Sequence, residues 1–268
     1  MREPTLLFRD RQLLAIDKPS GMLVHRGWAA DERVATDWVA ALVGAPVFPT
    51  HRLDRGTSGV LLFALTPEAA AAIGAQFEAG EVRKRYLALC RGHAPDAAAI
   101  DHALRPHDPK TGKRRKADSQ VPPLAARTDV RCLARVSLAV DPDEHPGVGR
   151  CCVVEARPLT GRTHQIRRHL KHLSHPLLGD VRYGKGALNK RYRARYGLAR
   201  LGLHAAALTV RDPSSDRPLR FVAPLPPDLL APLRALGFDP AALALDLDIH
   251  TDFHTGSQTD SQLGRGPA

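Results

Sequence analysis

The sequence is poor in the residues on which several large protein classes depend. It has four cysteines in 268 residues: Cys90, Cys132, Cys151 and Cys152. None forms a C-x-x-C pair, so neither a zinc site nor a disulfide framework is suggested. Adjacent Cys151 and Cys152 would point to opposite faces of a strand, and all four read as reduced, small core residues. No apolar run approaches the ~20 residues a membrane span needs. Met1-Arg2-Glu3-Pro4 lacks the charged-then-apolar pattern of a secretory leader. A cytoplasmic protein without a membrane partner is the expectation. G-x-G-x-x-G and G-K-[ST] phosphate loops are missing, which argues against a nucleotide cofactor. The G-x-S-x-G elbow of α/β-hydrolases is missing too. The one histidine-rich stretch, with His164, His169, His172 and His175, contains no carboxylate and holds the cations Arg167, Arg168 and Lys171. Imidazoles among cations make a poor metal site, so no metal is expected.

What the chain has in excess is positive charge. Lys and Arg number 39 against 28 Asp and Glu, a formal net charge of +11. Such an imbalance speaks about partners, not fold, and the polyanion it best fits is nucleic acid. Two stretches concentrate it. One carries Arg105, Lys110, Lys113, Arg114, Arg115 and Lys116. The other carries Arg182, Lys185, Lys190, Arg191, Arg193 and Arg195. Tyr183, Tyr192 and Tyr196 are interleaved with the second set, which reads as a basic loop whose tyrosines could stack on unpaired bases.

Hydrophobic residues make up 43% of the chain, enough for a core. Short apolar runs bounded by turn formers predict strands at Leu6–Phe8, Leu13–Ile16, Val60–Leu65, Val82–Arg91, Ala126–Leu138, Cys151–Ala156, Leu201–Val210 and Arg217–Ala223. Fewer helices are predicted. Thr36–Leu42 is one. Another opens with a Thr66 cap, Pro67 and Glu68 and ends near Gly80. A third runs His164–Leu173 with Thr163 as N-cap, presenting Gln165, Arg168, His169 and His172 as a polar face. The last is Pro226–Leu236. Many strands with few crossover helices favour an α+β fold with a mixed, largely antiparallel sheet.

One segment stands out chemically: His51-Arg52-Leu53-Asp54-Arg55-Gly56-Thr57-Ser58-Gly59. A single carboxylate lies between two guanidinium groups, on a turn that feeds a buried strand. Flanking cations favour its ionised form. A charged Asp on a rigid loop suits a nucleophile or base. A turn-capping Asp paired with a surface Arg would read the same way.

That segment resembles the H-R-L-D-x-x-T-S-G signature of the RluA family of pseudouridine synthases. Asp17-Lys18-Pro19-Ser20-Gly21, followed by Val24-His25, is similar to the family's first element. Lys84-Arg85-Tyr86-Leu87-Ala88 resembles its K-x-Y-x-A strand. Leu159-Thr160-Gly161-Arg162-Thr163-His164-Gln165-Ile166-Arg167 resembles its T-G-R-T-H-Q-I-R element. His175-Pro176, Gly179-Asp180 and Leu203-His204-Ala205 complete the order, so the resemblance runs from about Asp17 to Ala205. It implies a curved mixed sheet flanked by helices, with an RNA cleft across it. It also implies conversion of uridine to pseudouridine in RNA without a cofactor. The catalytic Asp would be Asp54, the active-site tyrosine Tyr86 and the basic partner Arg162. Arg52 would fill the space left by the displaced base. His51, Arg167, Arg168, Lys185 and Arg191 are further candidates for RNA contact. Residues 1–240 would form the catalytic domain, with a basic insertion at about 93–123, and 241–268 a polar, disordered tail. Val24–Trp28 and His172–Asp180 resemble most the TruC branch, whose members modify uridine 65 of tRNA. An rRNA (23S) synthase of the same family and a non-catalytic RNA-binding protein are the alternatives. A monomer is expected.

Overall fold

The computed structural model describes residues 2–26, 34–106, 121–138, 149–241 and 243. Lys110, Lys113–Lys116, Trp28 and the tail from Asp246, all singled out in the sequence, lie outside the described residues.

Among the described residues, ten strands join in one sheet. In chain order they are β1 (Thr5–Arg9), β2 (Leu13–Lys18), β3 (Phe48–Pro49), β4 (Ser58–Ala64), β5 (Arg83–Arg91), β6 (Ala97–Asp101), β7 (Arg127–Ser137), β8 (Arg150–Pro158), β9 (Leu203–Arg211) and β10 (Pro218–Val222). The spatial order is β1-β2-β4-β9-β5-β8-β7-β6, with β3 beside β4 and β10 beside β9. Every pairing is antiparallel except β4 with β9, where Ser58 lies opposite His204 and Gly59 opposite Ala205. This is the expected mixed sheet of an α+β protein.

The central strands read as near-continuous apolar runs because both of their faces are covered. Side chains alternate across a strand. On β2, Leu13 and Ala15 therefore pack with Val60, Leu62 and Ile73, while Leu14 and Ile16 pack with Leu61, Phe63 and Val39. Ile73 belongs to helix α2 (Pro67–Ala79) and Val39 to α1 (Ala35–Val43). At the far side of the sheet, Ala88, Cys90, Cys152 and Val154 meet Ile166 and Leu170 of α3 (Gln165–His172). The alternate residues Leu87, Leu89, Cys151 and Val153 meet Tyr192 of α4 (Gly186–Tyr196), and Leu229 and Leu233 of α5 (Pro227–Ala235). Cys90, Cys151 and Cys152 are buried and Cys132 is half-buried, all as free thiols.

Helix α2 begins and ends where its residues dictate. The Thr66 hydroxyl accepts from the Ala69 amide at 3.2 Å, and Gly80 caps the other end at φ 74°. Helix α3 departs from expectation. Its N-cap is His164, not Thr163, at φ 55° in the left-handed region and without a side-chain cap. The predicted polar face is also partly turned inward. Gln165 and His169 are buried, with Gln165 donating to the Arg127 carbonyl (2.8 Å) and His169 Nδ1 bonded to the Thr128 hydroxyl (2.9 Å). The second basic stretch is largely helix rather than loop. Ala, Leu, Lys and Arg are good helix formers, and Gly197 at φ 71° stops it.

Candidate active site

The loop at 51–57 is held by contacts its own sequence cannot supply. The Thr57 amide closes a turn on the Asp54 carbonyl at 3.0 Å. The turn after β2 then grips it from outside. The Gly21 amide donates to the Arg55 carbonyl (2.7 Å), Arg55 Nε returns to the Gly21 carbonyl (2.9 Å), and the Ser20 hydroxyl donates to the Gly56 carbonyl (2.8 Å). Beneath this clamp Lys18 is fully buried, its ammonium donating to the carbonyls of Pro19 (2.9 Å) and Met22 (2.8 Å). Burial, and then the charge of Arg200, lowers its pKa to about 7, against the pull of Asp54 and Asp17.

Downstream, the loop enters β4 at a point only glycine can occupy. Gly59 has φ 114°, and a Cβ there would fall on the Ala205 carbonyl oxygen. The parallel join of β4 to β9 depends on that close approach. Beside it the Ser58 hydroxyl lies 2.8 Å from His204 Nδ1 and accepts from Arg200 Nη2 at 2.7 Å. Burial lowers the His204 pKa to about 4, so the ring is neutral, and its Nε2 lies 3.1 Å from the Ala223 carbonyl. A neutral imidazole donates from one nitrogen and accepts at the other. Nε2–H therefore donates to Ala223 and Nδ1 accepts from Ser58.

Asp54 meets its cation here, and the cation is Arg167. Arg167 Nη1 donates to Asp54 Oδ2 at 2.9 Å. The rest of the same guanidinium forms a fork on Asp180, with Nε to Oδ2 at 2.8 Å and Nη2 to Oδ1 at 2.9 Å. Two-pronged pairing fixes a guanidinium in direction as well as place. Asp180 is anchored in turn, accepting from the amides of Arg182 (2.8 Å) and Tyr183 (2.9 Å). Burial raises the Asp180 pKa, but the bond and charge of Arg167 outweigh it and hold the group below the usual carboxylate range. Asp54 keeps 19% of its side chain exposed, whereas the Asp180 side chain is fully buried. Two further rings complete the site. His164 Nε2 stands 3.8 Å from Asp54 Oδ1, and its Nδ1 bonds the Tyr183 hydroxyl at 2.9 Å. Tyr86 sits on β5 at an irregularity in the β5–β9 register, half-buried against the core. Burial, and secondarily the negative charge of Asp54, raises its hydroxyl pKa above the ordinary value.

The geometry corrects one expectation about Asp54. Arg162 is exposed on the turn before α3, its Nε donating to the Ala125 carbonyl at 3.0 Å. It supports the chain near 125 and does not reach the carboxylate. Arg167, assigned to RNA contact from sequence, takes that place. His51 is also drawn into the fold. Its Nε2 accepts from the Leu62 amide at 3.2 Å, its ring packs on Phe77, and burial then Lys84 lowers its pKa to about 4. Arg168 Nη1 donates to the Arg105 carbonyl (2.9 Å). Tyr192 is a core residue, 1% exposed, and stacks on no base. Arg52 is exposed two residues from Asp54 and makes no hydrogen bond or ion pair with the described residues. Lys185 lies exposed at the start of α4 and Arg191 exposed in its middle. Asp180 and Tyr183 escaped the sequence reading as site residues, although Gly179-Asp180 belongs to the motif order noted there. Among the described residues no group of His, Cys, Asp and Glu could hold a metal, and no helix is long and apolar enough to cross a membrane.

The sequence and the fold both have close parallels. The family model described as RNA pseudouridylate synthase matches residues 12–172. The tRNA pseudouridine synthase C of Salmonella typhimurium is 39% identical over 235 residues, 87% of this chain and 90% of that one. That of Pasteurella multocida is 40% identical over 222 residues, 81% of this chain and 90% of its own. Among solved structures, human RNA pseudouridylate synthase domain containing 1 superposes with a TM-score of 0.66 at 27% identity, covering 85% of this chain and 86% of that one. Human domain containing 4 gives 0.65 at 28%, covering 87% and 93%. Since the family model spans more than half of the chain, and relatives about two-fifths identical cover more than four-fifths of it, the protein belongs to the RNA pseudouridylate synthase family.

Proposed function

We propose that this protein isomerises uridine to pseudouridine in tRNA, at position 65, with Asp54 as the reacting carboxylate and no cofactor. One observation carries the reading: Arg167 gives a single N–H to Asp54 Oδ2 and turns the rest of its fork to Asp180, so the guanidinium holds Asp54 through one oxygen and leaves 19% of its side chain exposed. The relatives named tRNA pseudouridine synthase C support tRNA as the substrate class.

The buried side of a paired base cannot be reached inside a helix, so the target nucleotide must leave the stack. Arg52, exposed beside Asp54, fills the vacated space, since a guanidinium stacks on flat bases. Tyr86 offers its ring face to the extruded uracil. Asp54 then acts at the sugar, by attack at C1′ or through an elimination route. The N1–C1′ bond breaks, the uracil turns, C5 bonds to C1′, and one proton passes from C5 to N1. Atoms balance within the nucleoside, and no redox partner enters. The residues named all lie on one chain, which fits action as a monomer, in the cytoplasm where tRNA is found.

Two measurements test the reading. Asp54→Asn keeps the shape and removes the charge. It is expected to abolish pseudouridine formation while tRNA affinity stays within about threefold, since phosphate contacts dominate affinity. Product formed by that variant would remove Asp54 from the chemistry. Mapping pseudouridines in total RNA with and without the gene is expected to show loss at tRNA position 65. Loss confined to rRNA would reassign the substrate and leave the reaction intact.

A further inference from the structure

Isomerisation leaves one step without an assigned group: the proton on C5 must leave and N1 must gain one. We propose that the imidazole of His164 carries out this transfer, an inference that rests on the reading of Asp54 as the reacting carboxylate. Once C5 has displaced Asp54 from C1′, the carboxylate departs with the electron pair of the bond it held. C5 is then tetrahedral and carries a hydrogen, and N1 is doubly bonded to C6. His164 Nε2 takes the C5 proton, the C–H pair forms the C5–C6 double bond, and the displaced pair moves to N1. The imidazolium returns the proton there. Nothing is oxidised or reduced.

Placement is the first argument. His164 Nε2 stands 3.8 Å from Asp54 Oδ1, the oxygen that Arg167 does not hold. That separation is too long for a hydrogen bond, and it puts the imidazole beside any group attached to or leaving that oxygen. Orientation is the second. Nδ1 is bonded to the Tyr183 hydroxyl at 2.9 Å, and the two rings meet edge to face at 5.6 Å and 78°. Tyr183 is itself tied to Asp180 through its amide and lies under the Arg167 guanidinium at 5.1 Å. The ring thus has one nitrogen anchored and the other aimed at the reacting oxygen. Backbone conformation is the third. His164 holds φ 55° as a non-glycine residue at the mouth of α3, and strained backbone of this kind gathers at functional sites.

The other groups in reach are less suited. Arg167 is committed to two carboxylates. Lys18 is buried against carbonyls. The Tyr86 hydroxyl keeps its proton because burial and the Asp54 charge both oppose ionisation. An imidazole ordinarily changes charge near neutrality, which suits a group that must both accept and return a proton. Asp54 faces it from the loop before β4 at 3.8 Å, and Tyr183, lying under the guanidinium groups of Arg167 and Arg182, faces it from the segment before α4.

The decisive variant is His164→Asn, because asparagine tolerates a positive φ and so separates the imidazole from the backbone it sits on. With saturating tRNA, turnover is expected to fall by about 10²–10⁴-fold, the range for loss of a general acid–base group. tRNA affinity should hold within about twofold. Deuterium at C5 of the target uridine should then slow the variant more than it slows the native enzyme. The rise in rate with pH between about 5.5 and 7.5 should disappear. In His164→Gly, added imidazole should restore part of the lost rate. Turnover of His164→Asn within about threefold of native, or an unchanged acid limb, would overturn the assignment. Should that variant fail to fold, the native enzyme decides: a rate with no acid limb over the same pH range would equally overturn it. A native protein that forms no pseudouridine in any RNA sinks the proposed function itself. A native protein that does, beside a His164→Asn that matches it, sinks only the role of His164.

Discussion

Two clusters of carboxylate and guanidinium stand on this sheet, and their stoichiometries are opposite. In one, a single cation, Arg167, serves two carboxylates, Asp54 and Asp180. In the other, a single carboxylate serves three cations. Glu155 on β8 accepts from Arg85 Nε at 2.6 Å, from Arg157 Nε at 2.7 Å and from Arg131 Nη2 at 3.0 Å. The Glu155 side chain is 1% exposed, against 19% for Asp54. Burial raises the pKa of both Glu155 and Asp180, and in each the guanidinium bonds outweigh it and hold the group ionised. The difference lies in saturation. Both Glu155 oxygens accept from arginine, which suits a carboxylate that pins β5, β7 and β8 together. Asp54 accepts from arginine at one oxygen, and the other stands 3.8 Å from His164 Nε2. The proposed role of Asp54 requires one oxygen left for the substrate, and sharing its arginine with a buried Asp180 is consistent with that.

The sharpest way to break this comparison is to remove the shared cation. Arg167→Met should lower turnover by at least ~10³-fold and cost about 3–5 kcal/mol of stability, because it strands a buried charge on Asp180. Activity and urea unfolding on the same preparation would show both. Arg162→Ala is the control and should stay within about threefold of native turnover, since it lies on the surface away from Asp54. If the two effects are reversed, the partner of Asp54 has been misidentified.

Glu155→Gln probes the other cluster. It should cost about 1–2 kcal/mol in urea denaturation by weakening three charge-assisted hydrogen bonds to half-buried guanidinium groups, while turnover per folded molecule stays within about twofold of native. A loss of turnover as large as that of Arg167→Met would mean the two clusters do not differ in role.

A pH series sharpens the distinction further. Asp180 has a folded-state pKa below its unfolded value, so the unfolded chain binds more protons in the acid range. Its contribution to stability is therefore complete above the unfolded pKa and is lost as pH falls through the folded one. Native protein should exceed Asp180→Asn in stability by about 2 kcal/mol near neutrality, the scale of a charge-assisted hydrogen bond. The gap should close below about pH 4, near the ordinary carboxylate value. A gap unchanged down to pH 2, measured by chemical unfolding, would contradict the ionised pairing.

The smallest effects belong to the surface. tRNA affinity should fall steeply with salt, and Lys185→Gln or Lys190→Gln at the exposed start and middle of α4 should each lower the slope of log affinity against log salt by about one. A flat profile would remove this helix from the RNA path.

Much of this was readable in the chain. Continuous apolar runs marked strands that turned out to be covered on both faces, and Thr66, Pro67 and Gly80 marked the bounds of α2. The loop around Asp54 was legible because turn formers and charge occur there in a row. Four things were not. The short strands β3 and β6 were missed, β6 inside the stretch read as a basic insertion. Arg162 and Arg167 stand five residues apart in the same motif, and nothing local tells which one turns inward. Helix α3 decides it by carrying Arg167 to face Asp180, while Arg162 stays on the turn outside. Helix α4 read as loop because its cations hide a stripe of only one deeply buried residue, Tyr192. His164 looked like a helix residue, and its left-handed backbone arises from the way α3 begins beside Tyr183.

By itself the sequence determined the fold class, eight of the ten described strands, the turn-rich Asp54 loop and the family of chemistry. These depend on periodicity and spacing within short windows, where side-chain alternation and turn preference act directly. Tertiary structure alone decided which guanidinium holds Asp54, which of its oxygens stays open, and which histidine faces it. Those choices require groups as far apart as Asp54 and Arg167, 113 residues in sequence, to be brought within hydrogen-bond range. Packing of the sheet and its helices supplies that proximity, and no local propensity encodes it.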